Sequence, residues 1–213
     1  MPIIARIEQL KGTYKKSIDK IVSDFWKEME DFWKIKIEVK PILFLLKSRK
    51  EIDDIRGQKT DDKLVGWFWR EKFLFILDPE KFDSESAFQK KDFKIILKHE
   101  LSHFFFLQAT GGTLPVWLNE GLACYLAGQK YQKVISKDDI HKLVKCHYRF
   151  DRRLFAQSYL LVEKLLGHRG KNNFINFLKS FKKNIDEDEF KIAFKKFFRI
   201  DFNKNNIYQL LTK

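Results

Sequence analysis

The sequence predicts an α+β fold, in which a small, mostly antiparallel sheet packs on one helix and a helical C-terminal part follows. Three observations support this: helical spacing of apolar residues before residue 34, β-type runs between residues 35 and 78, and helical spacing from there to Leu211. Strands that are grouped in one stretch of the chain, rather than alternating with helices, are typical of this class.

Composition excludes several classes of protein. The chain has 213 residues, of which 44% are apolar and 33% charged, which is too apolar for a disordered tail and too charged for a membrane protein. The longest apolar runs are too short for a membrane span, and Arg6 and Glu8 interrupt the N-terminal one, so we expect a cytoplasmic protein. Two cysteines cannot form a disulfide scaffold. The net charge of +13 is most simply explained by basic side chains on a solvated surface.

The N-terminal third is predicted to contain helix and strand. Residues 3–33 favour one or two amphipathic helices with a break near Gly12. Residues 35–46 alternate and then run apolar, which indicates a strand, and Pro41 favours an edge position or a bulge for it. The polar residues 48–63 predict a loop.

A hairpin is predicted next, from two runs rich in aromatic and β-branched residues. These runs are residues 64–70 and 72–78, with Arg70 and Glu71 at the join. We therefore divide the chain into an N-terminal part, 1–63, which is either part of the fold or a cap, and a main domain, 64–213.

Helices follow the hairpin. A helix from about Ser86 to Gln108 is predicted, because Ser86 and Gln89 resemble a capping box and a Gly-Gly pair comes after it. A second helix spans about residues 116–127 and ends near Gly128. The remainder predicts four or five helices, with breaks at Gly167, Gly170, Asn184 and Asn203.

The residues that point to chemistry are 99–103, which read H-E-x-x-H. On a helix His99 and His103 share a face one turn apart, so both imidazoles can bind one metal ion. Glu100 points in a neighbouring direction and can reach a water in the open position of that metal. Zinc suits such ligands and lowers the pKa of its bound water to about 7, and a carboxylate can then take the proton. The alternative is a helix with two hydrogen-bonded histidines.

A third ligand is available in Glu120, which lies 17 positions after His103. The Gly-Gly turn and Pro115 between them let a second helix fold back beside the first. Glu120 stands in an otherwise apolar helix, where a carboxylate is costly without a partner, and Gly121 permits close approach of another backbone. The alternative is an exposed glutamate near a helix N-terminus.

With these two motifs the chain resembles the gluzincin metallopeptidases, a group that includes thermolysin, the aminopeptidase-N type enzymes and the compact bacterial peptidase-MA-like proteins. The resemblance is closest to the last group and covers about residues 64–200, through H-E-L-S-H and L-P-x-W-L-N-E-G-L-A-x-Y-x-x-G. It implies a zincin-like fold and a zinc metallopeptidase, a hydrolase that cleaves peptide bonds with metal-activated water. His99, His103 and Glu120 would bind zinc, and Glu100 would be the general base.

The resemblance also bears on the substrate. Related enzymes bind peptide as a strand added to an edge strand, a place that residues 64–70 or 72–78 would take here. The Gly-x-Met-x-Asn sequence with which true aminopeptidases bind a free N-terminus is missing, which favours an endopeptidase acting on a peptide or protein. Individual substrate-binding residues and the oligomeric state are not predicted.

One position departs from the family pattern. Relatives carry a tyrosine in a Tyr-x-x-Gly/Ser turn, whose hydroxyl stabilises the oxyanion, whereas this chain has Phe155 in Phe-Ala-Gln-Ser. Such a donor is typically worth about 3 kcal/mol. The candidates to replace it are Tyr148, Tyr159, His147 and His168, unless zinc acts alone or activity is low.

Other candidates are weaker. Cys124, Cys146, His141 and His147 fit no common metal-site spacing, and Trp67, Phe68 and Trp69 suit a packed hairpin better than base stacking. The alternative function is a catalytically weak or inactive zincin-like protein that acts as a partner- or nucleic-acid-binding module. Nucleic acid is not the favoured partner.

Overall fold

A computed structural model describes residues 12–69, 72–132, 135–149, 151–181, 183 and 185–212. It confirms the α+β class: ten α-helices and three strands lie within these residues. The chain divides into two compact units, of which the first ends at Phe104 and the second begins at Phe105. The division into an N-terminal part, 1–63, and a main domain, 64–213, stays a prediction from the sequence.

The first unit contains the whole sheet. Its elements are α1 (Gly12–Trp33), β1 (Ile42–Leu46), α2 (Arg49–Arg56), β2 (Gly66–Trp69), β3 (Phe73–Leu77), α3 (Phe82–Glu85) and most of α4 (Phe93–Thr110). The predicted hairpin is confirmed as β2 and β3. None of the helices in the described residues combines the length and apolar character that a bilayer span requires.

The sheet is mixed, which corrects the prediction of a mostly antiparallel one. Its strand order is β1-β3-β2, with β2 antiparallel and β1 parallel to the central strand β3. The chain passes through α2 and β2 between β1 and β3, which provides the long connection that a parallel pair needs. Pro41 precedes the edge strand β1, as predicted, but pairing begins only at Ile42 rather than at residue 35.

The two faces of the sheet pack differently. On one face Phe68 meets Phe104 of α4 edge to face, with ring centroids 5.7 Å apart. On the other face Phe75 stacks on Phe44 and on Trp67, with 4.9 Å between centroids in each pair. The first face therefore fixes the hairpin against α4, the helix that carries H-E-x-x-H.

The prediction of a loop over residues 48–63 is wrong for its first half, which forms α2. Ser48 caps this helix by accepting a hydrogen bond from the Glu51 amide, and Gly57 ends it with a φ of 70°. Both caps are helix signals, but a short polar segment with a single buried residue, Ile52, gives little periodicity.

The start of α4 also differs from the prediction. Ser86 ends α3 instead, and its hydroxyl donates to the Phe82 carbonyl at 2.9 Å. The turn that leads into α4 is capped by Asp92, whose carboxylate accepts from the Gln89 amide at 2.9 Å. The predicted end is confirmed, since Gly111 adopts a φ of 72° and bonds to Leu107.

The second unit is helical. It contains α5 (Val116–Ala127), α6 (Lys137–Leu143), α7 (Phe155–Arg169), α8 (Lys171–Lys179), α9 (Glu187–Phe198) and α10 (Lys204–Thr212). Breaks at Gly170 and Asn203 are confirmed, whereas Gly167 lies inside α7. Its core is largely aromatic, with Phe177, Phe190 and Phe194 fully buried in mutual contact.

Some predictions fall outside the described residues. They concern residues 3–11, the join at Arg70 and Glu71, and the break at Asn184.

Candidate metal centre

The H-E-x-x-H motif lies in the middle of α4, as the sequence predicts. Apolar neighbours bury this helix, with Leu97, Leu101 and Phe104 at most 2% exposed. His99 is buried and His103 half-buried, and their rings lie nearly perpendicular with centroids 4.8 Å apart. Two polar rings on one face of an apolar helix are costly unless a partner compensates their burial.

The second helix of the site, α5, begins after a short turn. Val116 at its first position donates its amide to the His147 carbonyl at 2.9 Å, and Trp117 donates to Cys146 at 3.4 Å. These bonds satisfy amide groups that a helix start leaves without a partner. They fix the start of α5, and hence the position of Glu120 one turn later.

Gly121 brings α5 against α7, as its lack of a side chain predicts. A Cβ at this position would overlap the carbonyl group of Ser158 and lie 3.1 Å from the Ser158 Cβ. The backbones of the two helices therefore touch directly beside Glu120.

His99, His103 and Glu120 form a group that could hold a metal ion. One ligand atom from each residue lies within 4.8 Å of the other two, with His99 buried and the other two half-buried. Two imidazoles and a carboxylate match the donors that zinc prefers.

Glu100 lies against the hairpin. A Cβ on Gly66 of β2 would be 3.2 Å from the Glu100 Cγ, so the absence of a side chain at residue 66 makes room for this carboxylate arm. The general base predicted from the sequence is thus held between its own helix and β2.

The outer edge of β2 carries the backbone groups of two residues. Leu77 donates to the carbonyl of Val65 directly opposite, at 2.7 Å, so Val65, Trp67 and Trp69 direct their amide and carbonyl groups towards β3. Gly66 and Phe68 direct theirs away from it. The central strand β3 has neighbours on both sides and has no edge for a further strand.

The residues predicted to replace the missing tyrosine hydroxyl have other contacts. The His147 ring donates to the Ile185 carbonyl at 2.8 Å, and the His168 ring to Phe198 at 3.4 Å. The Tyr159 hydroxyl donates to Glu163 at 2.8 Å, and burial followed by this bond raises the pKa of Tyr159 to about 12. Tyr148 is 58% exposed.

A tyrosine that the sequence interpretation missed lies beside α5. The Cys124 thiol donates to the Tyr131 hydroxyl at 3.9 Å, and Cys124 follows Glu120 by one helical turn on the same face. Burial, together with the Cys124 thiol and the Glu120 carboxylate, raises the pKa of Tyr131 well above its ordinary value. Tyr131 follows Gly128 in an irregular segment without periodicity, so no pattern singles it out.

The residues that the sequence offers as weaker candidates for a site have structural roles. Within the described part of the chain, His99, His103 and Glu120 are the only group suited to a metal, so the two cysteines with His141 and His147 form no second one. Ser102 donates to the Lys98 carbonyl of its own helix at 2.8 Å. Trp67 and Phe68 pack on neighbouring rings, while Trp69 is 37% exposed.

Comparisons with protein-family models, with curated proteins and with solved structures find no match to this chain.

Proposed function

We propose that this protein is a zinc-dependent peptidase of the gluzincin type, with a zincin-like fold. The observation that carries the proposal is the convergence of His99, His103 and Glu120, with ligand atoms within 4.8 Å of one another. Glu100, which lies on α4 between the two histidines, supplies a carboxylate that is not needed as a metal ligand. This combination meets the requirements of metal-assisted hydrolysis, whereas a purely structural site needs no base.

His99, His103 and Glu120 would hold the zinc ion. When bound, zinc acidifies water in its open position and polarises a carbonyl group. Three protein ligands leave one position open, as in catalytic rather than structural zinc sites. The protein's contribution is to fix the ligands through the buried α4 and the α5 start that is bonded to residues 146 and 147.

Glu100 would move the proton. Its carboxylate accepts a proton from the attacking water and returns it to the amine nitrogen as the peptide bond breaks. Its place against Gly66 limits the rotation of its side chain. A base held in one orientation loses little entropy on reaching the transition state.

The outer edge of β2 would bind the substrate as an added strand. The edge offers the amide and carbonyl groups of Gly66 and Phe68, and both residues face α4, where Glu100 lies. The chain lacks the Gly-x-Met-x-Asn sequence with which true aminopeptidases bind a free N-terminus. This favours cleavage of internal peptide bonds of a peptide or protein, hence an endopeptidase.

The test combines metal analysis with peptide cleavage on the full chain. We expect about one zinc per chain and cleavage of members of a quenched-peptide library, read by mass spectrometry. Glu100→Gln should keep zinc and lose cleavage. The matched control is Glu28→Gln on α1. The Glu28 carboxylate pairs at 3.1 Å with Lys98, which lies on α4 like Glu100, and this variant should cleave normally.

A Glu100→Gln variant that cleaves at the wild-type rate would contradict the role of Glu100. A wild-type protein that binds zinc but cleaves no library member would instead favour the alternative function, an inactive zincin-like protein that binds a partner. Phe155, without a hydroxyl, motivates that alternative. If nucleic acid were the partner, binding would weaken steeply with salt.

A further inference from the structure

Peptide hydrolysis places negative charge on the carbonyl oxygen of the substrate. As the water oxygen bonds to the carbonyl carbon, the π pair of the C=O bond moves to that oxygen. A positioned O–H or N–H donor that reaches it lowers the barrier. Phe155 cannot supply such a donor, so under the proposed function a hydroxyl elsewhere in the chain is the candidate for this role beside the zinc ion.

The other residues that the sequence offers as oxyanion donors are placed unsuitably for that role. The proton of the Tyr159 hydroxyl is directed to Glu163, and the His147 ring is fixed on the Ile185 carbonyl. His168 bonds to a carbonyl at the end of α9, and the Tyr148 side chain is mostly in solvent.

Tyr131 has the placement that the others lack. Its hydroxyl contacts the thiol of Cys124, which shares a face of α5 with Glu120, and its ring packs on Tyr159 of α7 with centroids 5.7 Å apart. A hydroxyl can accept a hydrogen bond from the Cys124 thiol and still donate its own O–H to a further group.

We propose that the Tyr131 hydroxyl donates a hydrogen bond to the substrate oxyanion. Tyr131 would then be a catalytic residue, with the role that relatives give to a tyrosine at the position of Phe155. This inference rests on the proposed function. Tyr131 keeps its proton throughout and only donates a hydrogen bond. When the C–N bond breaks, the electron pair on the oxygen re-forms the C=O bond, and the amine nitrogen receives its proton from Glu100.

The test is the Tyr131→Phe variant of the full zinc-loaded chain, assayed with a fluorogenic peptide that the wild-type protein cleaves. We expect kcat to fall about 100-fold or more, with KM within about threefold of wild type and zinc content unchanged. Tyr148→Phe, which removes an exposed hydroxyl, is the control and should leave kcat unchanged. Adding Phe155→Tyr to Tyr131→Phe should restore part of kcat, because it returns a hydroxyl to the neighbouring helix.

Three results would overturn the assignment of Tyr131: an unchanged kcat, a loss of zinc that parallels the loss of kcat, or an equal loss in Tyr148→Phe. If Tyr131→Phe does not fold by circular dichroism, 3,5-difluorotyrosine at position 131 replaces it. That residue keeps the ring and acidifies the O–H, so kcat should change more than threefold, and an unchanged kcat would again overturn the assignment. A wild-type protein without activity refutes the proposed function itself.

Discussion

Gly66 and Glu100 face each other across the contact between β2 and α4, where a Cβ on the glycine would lie 3.2 Å from the Glu100 Cγ. The same Cβ would lie 3.2 Å from the Phe75 carbonyl oxygen. β2 therefore cannot shift to accommodate it without disturbing the hydrogen bonds between β2 and β3. The space for the proposed base is therefore set by the absence of one methyl group.

Gly66→Ala should lower kcat for peptide cleavage about tenfold or more, because displacement of a catalytic group by a fraction of an ångström is costly in rate. Zinc content should be unchanged, since the ligands lie elsewhere. The measurement is kcat beside metal analysis of the same sample. A wild-type kcat in this variant would show that Glu100 does not depend on the glycine.

Gly121→Ala should destabilise the protein by about 3 kcal/mol, since the added Cβ meets the backbone of Ser158 rather than a flexible side chain. Urea unfolding measures this. The control is Gly167→Ala in α7, where no atom lies within 4 Å of the added Cβ. Alanine there should stabilise the helix by about 0.5–1 kcal/mol, and equal effects at the two positions would contradict the predicted contact.

Zinc should stabilise the folded chain, because the group of three ligands is not assembled in the unfolded state. At a free zinc concentration 1,000 times the Kd, the gain is about 4 kcal/mol, or roughly 8–16 °C in Tm for a chain of this size. His99→Ala and Glu120→Gln should lose most of this shift in a thermal melt with and without a chelator. His141→Ala, on α6, is the control and should keep it.

Tyr159 should ionise late in an alkaline titration. Its pKa is raised from 10.0 to about 12 by burial and by the bond to Glu163, so the folded state favours the neutral phenol. The resulting stability is fully present below pH 10 and is lost as the pH rises through about 12. Absorbance at about 295 nm reports the phenolate, and Glu163→Gln should move the late transition to lower pH. Ionisation of Tyr159 at its ordinary pKa would contradict the burial seen here.

Arg49 should stabilise the segment that leads into β2. Its guanidinium donates to the carbonyl of Leu64 at 2.6 Å, to Asp62 at 3.1 Å and to Glu85 at 2.9 Å. Arg49→Lys cannot reproduce this set of donors and should cost about 2–3 kcal/mol in urea unfolding. Arg56→Lys, which keeps a cation over Trp67, is the control and should change stability by about 0.5 kcal/mol or less.

The elements that the sequence predicts well are those with a strong local signal. The hairpin, α5 and its end at Gly128 follow from apolar runs bounded by glycine or proline, and the H-E-x-x-H spacing places two rings on one helical face without tertiary information. Gly121 was expected to permit close approach, and the Ser158 carbonyl fills that place.

The features that the sequence does not predict depend on distant residues. Nothing local in residues 42–46 states that they pair in parallel with the second strand of a later hairpin. Helix α2 is held by caps at Ser48 and Gly57 that a polar composition obscures. Tyr131 acquires its contact with Cys124 only because an irregular segment returns along α5.

The strand order of the sheet implies an order of events in folding. Trp69 and Phe73 pair within the hairpin only four positions apart, whereas Ile42 and Phe73 pair across 31 positions. The hairpin can therefore form early, and β1 must wait for a much larger loop to close. Amides of β2 and β3 should gain protection from hydrogen exchange before those of β1. The strand beside Glu100, β2, therefore forms before β1 pairs at the opposite edge of the sheet.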